Sequence, residues 1–494
     1  MLKHFRVFLA AMFFMAIASP PLFAGTTEEL QKKFIELQEE YQKKFEELKN
    51  MIGETKKSSE EQKALQQKEI EEIKKATKER EETNKKELET MQAKMEEQKK
   101  WTLQAGYDNG FYLKSADDQF LLKLGGYIQT DIRAFEGGED SSNSNTFDIK
   151  RARIGISGYL FKHFEYKLQA ELDTSDDNLT DAAINVNYTP LIQFQIGQFK
   201  KPIGYENPIS SNYTDFVERA LAVENISGNS RDIGVMLHGK LFKKRLAYYL
   251  GLFNGNGPNT TNNSDNFTFM GRVVASPFVN TNNFYLKGIS FGGSLLTGDR
   301  QAHSSSDFVL AGRNKALNSV TVDGQRLLVG PELVWYIGPF GLKSEYYFQR
   351  EERNNIKNEI AKGVFIEQNM KDLISQGVYI SAMYMLTGEE RGDIVIPKKN
   401  FDPKTGGLGA WEVLARYEYV DGDKAHGSEP VIAKENVLGN TIQAFTLGLN
   451  WYLNKNVRLK FNYVNYDFDK KKNLKDPKIG DKENLFLTRF QLVF

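Results

Sequence analysis

Lysine and arginine recur at alternate positions in short segments whose intervening positions are apolar. Arg458 and Lys460 alternate with Val457, Leu459 and Phe461; Arg151 and Arg153 flank Ala152; Arg489 stands among Phe486, Phe490, Leu492 and Phe494. A period of two puts the cations on one face of a strand and the apolar groups on the other. Cations fixed along a wet wall attract anions, and charges at a constriction select ions by sign. By parity the basic candidates are Lys123, Arg133, Arg151, Arg153, Arg272, Arg416, Arg458, Lys460 and Arg489. Carboxylates such as Asp131, Glu165, Glu171, Glu345, Glu412 and Glu418 share those faces in smaller number. Catalytic groups are poorly represented. The histidines (His4, His163, His238, His303, His426) show no metal-ligand spacing, and no Gly-rich phosphate loop opens a helix. With Cys 0 there is no thiol nucleophile and no Cys-ligated metal. No enzyme, metal or cofactor is expected.

The elements that must position these residues are strands. Phe164, Tyr166, Leu168, Ala170 and Leu172 alternate with Glu165, Lys167, Gln169 and Glu171. Alternation predicts about sixteen strands: 120–135, 147–161, 163–173, 181–189, 191–200, 232–242, 245–253, 267–276, 284–297, 326–337, 341–350, 373–386, 410–421, 441–453, 457–468 and 484–494. Short connections (161–163, 189–190, 243–244, 338–340, 454–456) alternate with long ones (136–146, 201–231, 254–266, 298–325, 351–372, 422–440, 469–483). Residues 387–409 are long where a short turn is expected. The chain ends in a strand with aromatics on one face, an open edge that a soluble protein would have to protect. Pairing the last strand with 120–135 removes the edge. The expected fold is therefore an all-β transmembrane barrel of antiparallel strands, apolar outside and polar inside, with turns and both barrel ends on the periplasmic side. Sixteen strands leave an aqueous lumen.

Composition agrees. Of 494 residues 40% are hydrophobic, the mean hydropathy is −0.51, and Tyr 22 and Phe 34 stand against Trp 4. Beyond the N-terminus no apolar run approaches the ~20 residues of a membrane helix. The net charge of +0 argues against a nucleic-acid partner. Residues 1–24, with Lys3 and Arg6 ahead of an apolar run and Ala24 at the cut, read as a signal peptide. Residues 26–100 hold one Gly, no Pro and mostly Glu, Lys and Gln. Leu30, Phe34, Leu37, Tyr41, Leu48 and Met51 form a heptad seam, so this segment is expected to be a periplasmic coiled coil. A solitary charged helix is the other reading.

The connection 201–231 carries Phe216, Val217, Leu221 and Val223, too apolar for a loop in water. Folded back into the lumen it would narrow the channel and bring Lys200, Lys201, Arg219 and Arg231, with Glu218 and Glu224, to the passage. An outer cap or a subunit contact are the alternatives.

Particular runs sharpen this. Phe147-Asp148-Ile149-Lys150-Arg151-Ala152-Arg153, Gly197-Gln198-Phe199-Lys200-Lys201-Pro202-Ile203-Gly204 and Glu218-Arg219-Ala220 resemble the phosphate-selective porin O and P family. So do Leu386-Thr387-Gly388-Glu389, Gly409-Ala410-Trp411-Glu412 and Leu447-Gly448-Leu449-Asn450-Trp451-Tyr452-Leu453-Asn454. The resemblance runs in order over 107–494. It implies a sixteen-stranded trimeric outer-membrane channel with an inward third loop, and it makes the long 387–409 connection a family feature. It also implies contact with membrane lipid and lipopolysaccharide, and Phe494 as a signal read by barrel-assembly machinery. The phosphate-specific members are known for a dense arginine ladder. Here the loop has Arg219 and Arg231 interspersed with Glu206, Asp215, Glu218 and Glu224. The expected function is thus a diffusion channel for small hydrophilic solutes, leaning to anions such as phosphate. A weakly selective general porin, or a tether binding peptidoglycan through the coiled coil, are the alternatives.

Overall fold

The computed structural model describes residues 31–40, 42–44, 60–136, 144–173, 179–228, 230–305, 308–311, 315–317, 319–361, 364–422, 441–468 and 482–494. The expected signal peptide and the seam residues Leu30, Tyr41, Leu48 and Met51 lie outside the described residues. The chain forms two compact units, Met1–Glu97 and Gln98–Phe494. Residues 31–40 and 42–44 are helical, and helix α1 spans Glu60–Trp101. The Arg80 guanidinium lies 3.0 Å from the Glu40 carboxylate. The seam residue Phe34, and Leu88 and Met95 of α1, remain exposed in the single chain.

The second unit opens with a hairpin of β1 (Leu103–Tyr107) and β2 (Phe111–Ser115). Barrel strands follow: β3 (Phe120–Glu136), β4 (Thr146–Leu160), β5 (Phe164–Glu171), β6 (Leu179–Thr189), β7 (Ile192–Lys200), β8 (Arg231–Leu241), β9 (Leu246–Phe253), β10 (Thr268–Ala275) and β11 (Ile289–Ser304). A small hairpin, β12 (Phe308–Val309) and β13 (Lys315–Leu317), precedes β14 (Thr321–Ile337), β15 (Phe340–Ala361), β16 (Val364–Met385), β17 (Ala410–Asp421), β18 (Thr441–Tyr452), β19 (Val457–Phe468) and β20 (Lys482–Val493). Neighbours pair antiparallel, and β20 pairs with β3 from Asn484↔Glu136 to Val493↔Tyr127, which closes sixteen strands into a barrel. Phe494 completes the seam: its N–H donates to the Gly126 carbonyl at 2.9 Å and Gly126 N–H donates back at 2.7 Å.

Beyond the C-terminus the lower end of β3 pairs with β2, from Phe111↔Leu124 to Lys114↔Leu121. This hairpin was not among the expected strands, because its five-residue members carry too short an alternation. The expected loops 298–325 and 351–372 are partly strand. β15 and β16 continue as one tall hairpin, with Lys357 opposite Glu367. Above the bilayer neither face meets lipid, so the apolar half of the pattern is missing there.

Within the wall, parity holds. On β3, Ile128 and Ile132 are exposed on the outer face, while Tyr127, Gln129, Asp131 and Arg133 are buried on the inner one. At the turn end, Trp411 and Trp451 stack 4.9 Å apart and both indoles donate to the Leu408 carbonyl. Aromatics at this level are the interfacial girdle of a membrane barrel.

Candidate pore constriction

An irregular loop inside a barrel must find partners for its backbone groups. The wall supplies them to residues 201–231. Gly204 turns the chain inward at φ 67, where a Cβ would lie 1.8 Å from the Tyr347 hydroxyl, so only glycine fits. The next N–H groups donate to the wall: Gly204 to Ser294 Oγ (2.8 Å), Tyr205 to Glu345 Oε1 (2.6 Å) and Glu206 to Glu345 Oε2 (3.1 Å). Val217 N–H reaches Asn462 Oδ1 at 2.7 Å and Leu221 N–H reaches Glu418 Oε1 at 2.6 Å. Loop carbonyls accept in turn. Gln129 and Gln491 donate to Ser211 and Asn212 at 3.0 Å, Asn450 to Asp215 at 2.9 Å, and Lys460 to Phe216 at 3.1 Å.

Apolar contact completes the attachment. Phe216, Val217 and the short helix α2 (Leu221–Asn225) are almost fully buried, except for the exposed Glu224. Val217 and α2 pack against inner-face residues of β17–β20 that break the polar-inside rule (Val420, Ile442, Ala444, Val464, Leu485 and Leu487), and Phe216 packs against Met383 and Leu414. Two further segments brace the loop. From the connection 386–409, Arg391 pairs with Asp215, and its Nε lies 2.6 Å from Glu412 Oε1. Asp393 accepts from Tyr205 and, at 2.7 Å, from Tyr336. From the other end, Val309 N–H donates to Asn225 Oδ1 at 2.7 Å and Ala311 N–H to the Tyr466 hydroxyl at 3.0 Å.

Electrostatics on the loop follow from these neighbours. Burial works to raise the Asp215 pKa, but Lys343, 2.7 Å away, and Arg391 more than offset it and hold the carboxyl low. Glu218 is likewise held low against burial by Lys150, Arg489, Arg151 and Arg133. Glu206 goes the other way: burial pushes it up to about 7, and Glu345 adds to that effect.

The loop lies along β3 and β14–β20, leaving the β4–β8 wall as the other side of the passage. A β-bulge shapes that wall. Gln129 pairs with Arg151 and Thr130 with Ile149, so Lys150 is the extra residue and points inward beside Arg151. Its ammonium lies 3.2 Å from Glu218. Strict alternation from Arg151 would place Lys150 on the outside.

The basic candidates separate accordingly. Under the loop, Arg489 grips Asp131 at 2.6 and 2.7 Å and Glu218 at 3.1 Å. Lys460 is fully buried, and Arg416 binds Glu418 at 2.9 Å and the Glu218 carbonyl at 3.1 Å. Arg133 lies 3.2 Å from Asp131 and 3.4 Å from Asp148. Arg458 sits over the Tyr452 and Tyr213 rings. Lys201 is buried on the Ser227 carbonyl at 2.9 Å. Arg272 is held by Glu332 at 2.9 and 2.6 Å, and Lys123 lies at the turn end, 3.8 Å from Asp108.

On the open side, Arg153 pairs with Glu171, and Arg231 binds Asp181 through two bonds of 3.1 and 3.0 Å. Lys167 shares Asp181 at 3.1 Å. Arg151, Lys200 and Arg219 bond instead to neutral oxygens. Arg151 donates to Gln129 Oε1 at 3.1 Å; Lys200 donates to the Asn207 carbonyl at 3.2 Å and to the Ile209 carbonyl; Arg219 donates to Ile209 at 2.8 Å and Glu206 at 3.2 Å. Sequence reasoning missed Lys150, Arg391 and Asp393. The unexplained length of 387–409 was the available signal for the last two.

The family model for phosphate-selective porin O and P matches residues 122–494. The chain belongs to this family. It is an outer-membrane channel. Among relatives of this porin, Porin O of Pseudomonas aeruginosa is 26% identical over 424 residues, 78% of this chain and 91% of that one. Solved porins include OmpT of Vibrio cholerae in its trimer form, with TM-score 0.49, 12% identity, and coverage of 76% and 100%. An anion-selective porin from Comamonas acidovorans has TM-score 0.48 at 14% identity, with coverage of 76% and 100%.

Proposed function

We propose that small hydrophilic anions, phosphate among them, diffuse passively between the loop 201–231 and the β4–β8 wall. One observation carries this reading. On that side Glu171, Asp181 and Glu218 are each engaged by cations, whereas Arg151, Lys200 and Arg219 bond only to neutral oxygens. Their positive charge is left for the permeant. The flanking ion pairs hold the side chains in place without adding net charge. Because positive and negative residues balance over the whole chain, the field is local to this gap, which favours preference among anions over exclusive phosphate transport.

The turn end, with both barrel ends, faces the periplasm in this reading, and so does the helical unit. Three copies assemble, as the family resemblance implies, and the helical unit serves as an oligomerisation stalk or as a tether to the cell wall. Reversal potentials across a salt gradient test the permeation claim. An anion-selective value is expected. A cation-selective value would overturn it, and a value near zero would favour the general-porin alternative. Deleting 26–100 separates the two stalk roles: loss of trimers marks assembly, whereas loss of envelope attachment with intact conductance marks a tether.

A further inference from the structure

Between Asp232 and Asp299 the sequence contains one carboxylate, Asp265, in the loop at the far end from the turns. The turn end of this sector is strongly basic. Lys243, Lys244 and Arg245 form the β8–β9 turn, and Lys287 lies in the β10–β11 connection; all four are exposed and none pairs with a carboxylate among the described residues. The two connections are tied together. Asn280 donates to the Lys243 carbonyl at 3.0 Å and Ser276 N–H to the Arg245 carbonyl at 2.7 Å, so the cations form one patch. Phe242, Phe284 and Tyr285 project from the same rim, and Trp335 Nε1 donates to the Tyr285 carbonyl at 2.7 Å.

Directly above, the outer wall is indented. Gly271 and Gly293 form the floor of a depression of about 420 Å³ walled by Leu250, Phe269, Val273, Leu295, Val329 and Pro331. A Cβ on Gly293 would meet nothing within 4 Å. Gly293 stands four residues above Ile289, roughly 13 Å at ~3.3 Å per residue. That is close to the depth of one leaflet, half of a ~30 Å hydrocarbon core.

We infer that this sector binds an anionic phospholipid of the leaflet at the turn end. Its phosphodiester sits on Lys243, Lys244, Arg245 and Lys287, and one acyl chain fills the depression. Basic clusters at a membrane surface attract anionic headgroups, and interfacial aromatics fix their depth. The depression is continuous with the lipid-facing wall, so a chain lying there regains contacts that a flat wall would provide. Assigning the lipid to the inner leaflet rests on the reading that the turn end faces the periplasm.

The full chain in detergent is titrated with phosphatidylglycerol and with phosphatidylcholine, and bound lipid is counted by native mass spectrometry. Phosphatidylglycerol is expected to be retained at least tenfold better. The K243S/K244S/R245S/K287S variant should bring the ratio to about one, and Gly293→Leu should weaken both lipids severalfold while keeping the ratio. Equal binding by the parent protein, or an unchanged ratio in the quadruple variant, would overturn the site; unchanged affinity in Gly293→Leu would overturn the acyl-chain seat. These ratios do not depend on sidedness. Sidedness is read by labelling Lys244→Cys in intact cells with an impermeant maleimide, a clean readout in a chain with Cys 0. No labelling is expected, and labelling would overturn the inner-leaflet assignment.

Discussion

The two halves of the barrel wall use the same residue types for different ends. Along β3 and β14–β20, arginines and carboxylates are buried and bonded to the backbone of the loop 201–231. Along β4–β8, ion pairs neutralise one another and leave Arg151 and Lys200, with Arg219 of the loop, on neutral acceptors. On one side charge is structural glue; on the other we propose that it is the lining. The difference comes from desolvation. A charge beneath the loop has lost its water and must have a protein partner, whereas Arg151 and Lys200 on the other wall remain partly exposed.

Arg489→Leu should break the glued half most severely. It removes the two-bond partner of Asp131, which keeps only Arg133, and one of the cations on Glu218; breaking a buried pair costs up to about 3–5 kcal/mol. Urea unfolding in micelles should show that loss, and single-channel recordings should show larger, noisier conductance. Unaltered conductance would mean that apolar contact alone holds the loop.

Acidity probes the same half through Glu206. Its carboxyl moves from 4.5 unfolded to about 7 folded, so the fold favours the neutral form. The stability tied to this group is complete below about pH 4.5 and is lost as pH rises through about 7. At ~1.36 kcal/mol per unit this amounts to on the order of 3 kcal/mol. Asp215 and Glu218, held low, act in the opposite sense and lose stability only as the solution becomes strongly acidic. Thermal unfolding of Glu206→Gln should therefore be flatter between pH 4.5 and 7 than that of the parent. An identical slope would count against this assignment.

On the open half, stability should hardly move while permeation does. The variant Arg151→Gln, which loses one bond to Gln129, is expected to unfold within about 1 kcal/mol of the parent. Its anion preference should fall roughly threefold to tenfold, from ~1 kcal/mol of Coulomb energy per contact charge in water-like surroundings. A retained reversal potential would place the selective charges elsewhere. The smallest effect is expected at Lys123, far from the passage at the turn end, 3.8 Å from Asp108. Lys123→Gln should shift selectivity less than about twofold, since bulk salt screens charges beyond roughly 10 Å. A larger shift would extend the lining to the mouth.

Much of this was legible in the residues. Alternation located the barrel strands because each wall residue faces either lipid or lumen, and the apolar Phe216–Val223 stretch marked the inward loop. The hairpin β1–β2 was not legible because five-residue strands carry little periodicity. Lys150 was not, because a bulge resets parity without a local signal.

By itself the sequence determined the closed barrel, the inward loop and the set of cations on the inner face, since these depend on local periodicity and hydrophobicity. Only the tertiary structure decided which cations are spent. Arg489 and Lys460 look like Arg151 in sequence, each a basic residue on an inner face. The loop covers the first two and leaves the third beside the passage, and desolvation turns that difference in cover into a difference in role.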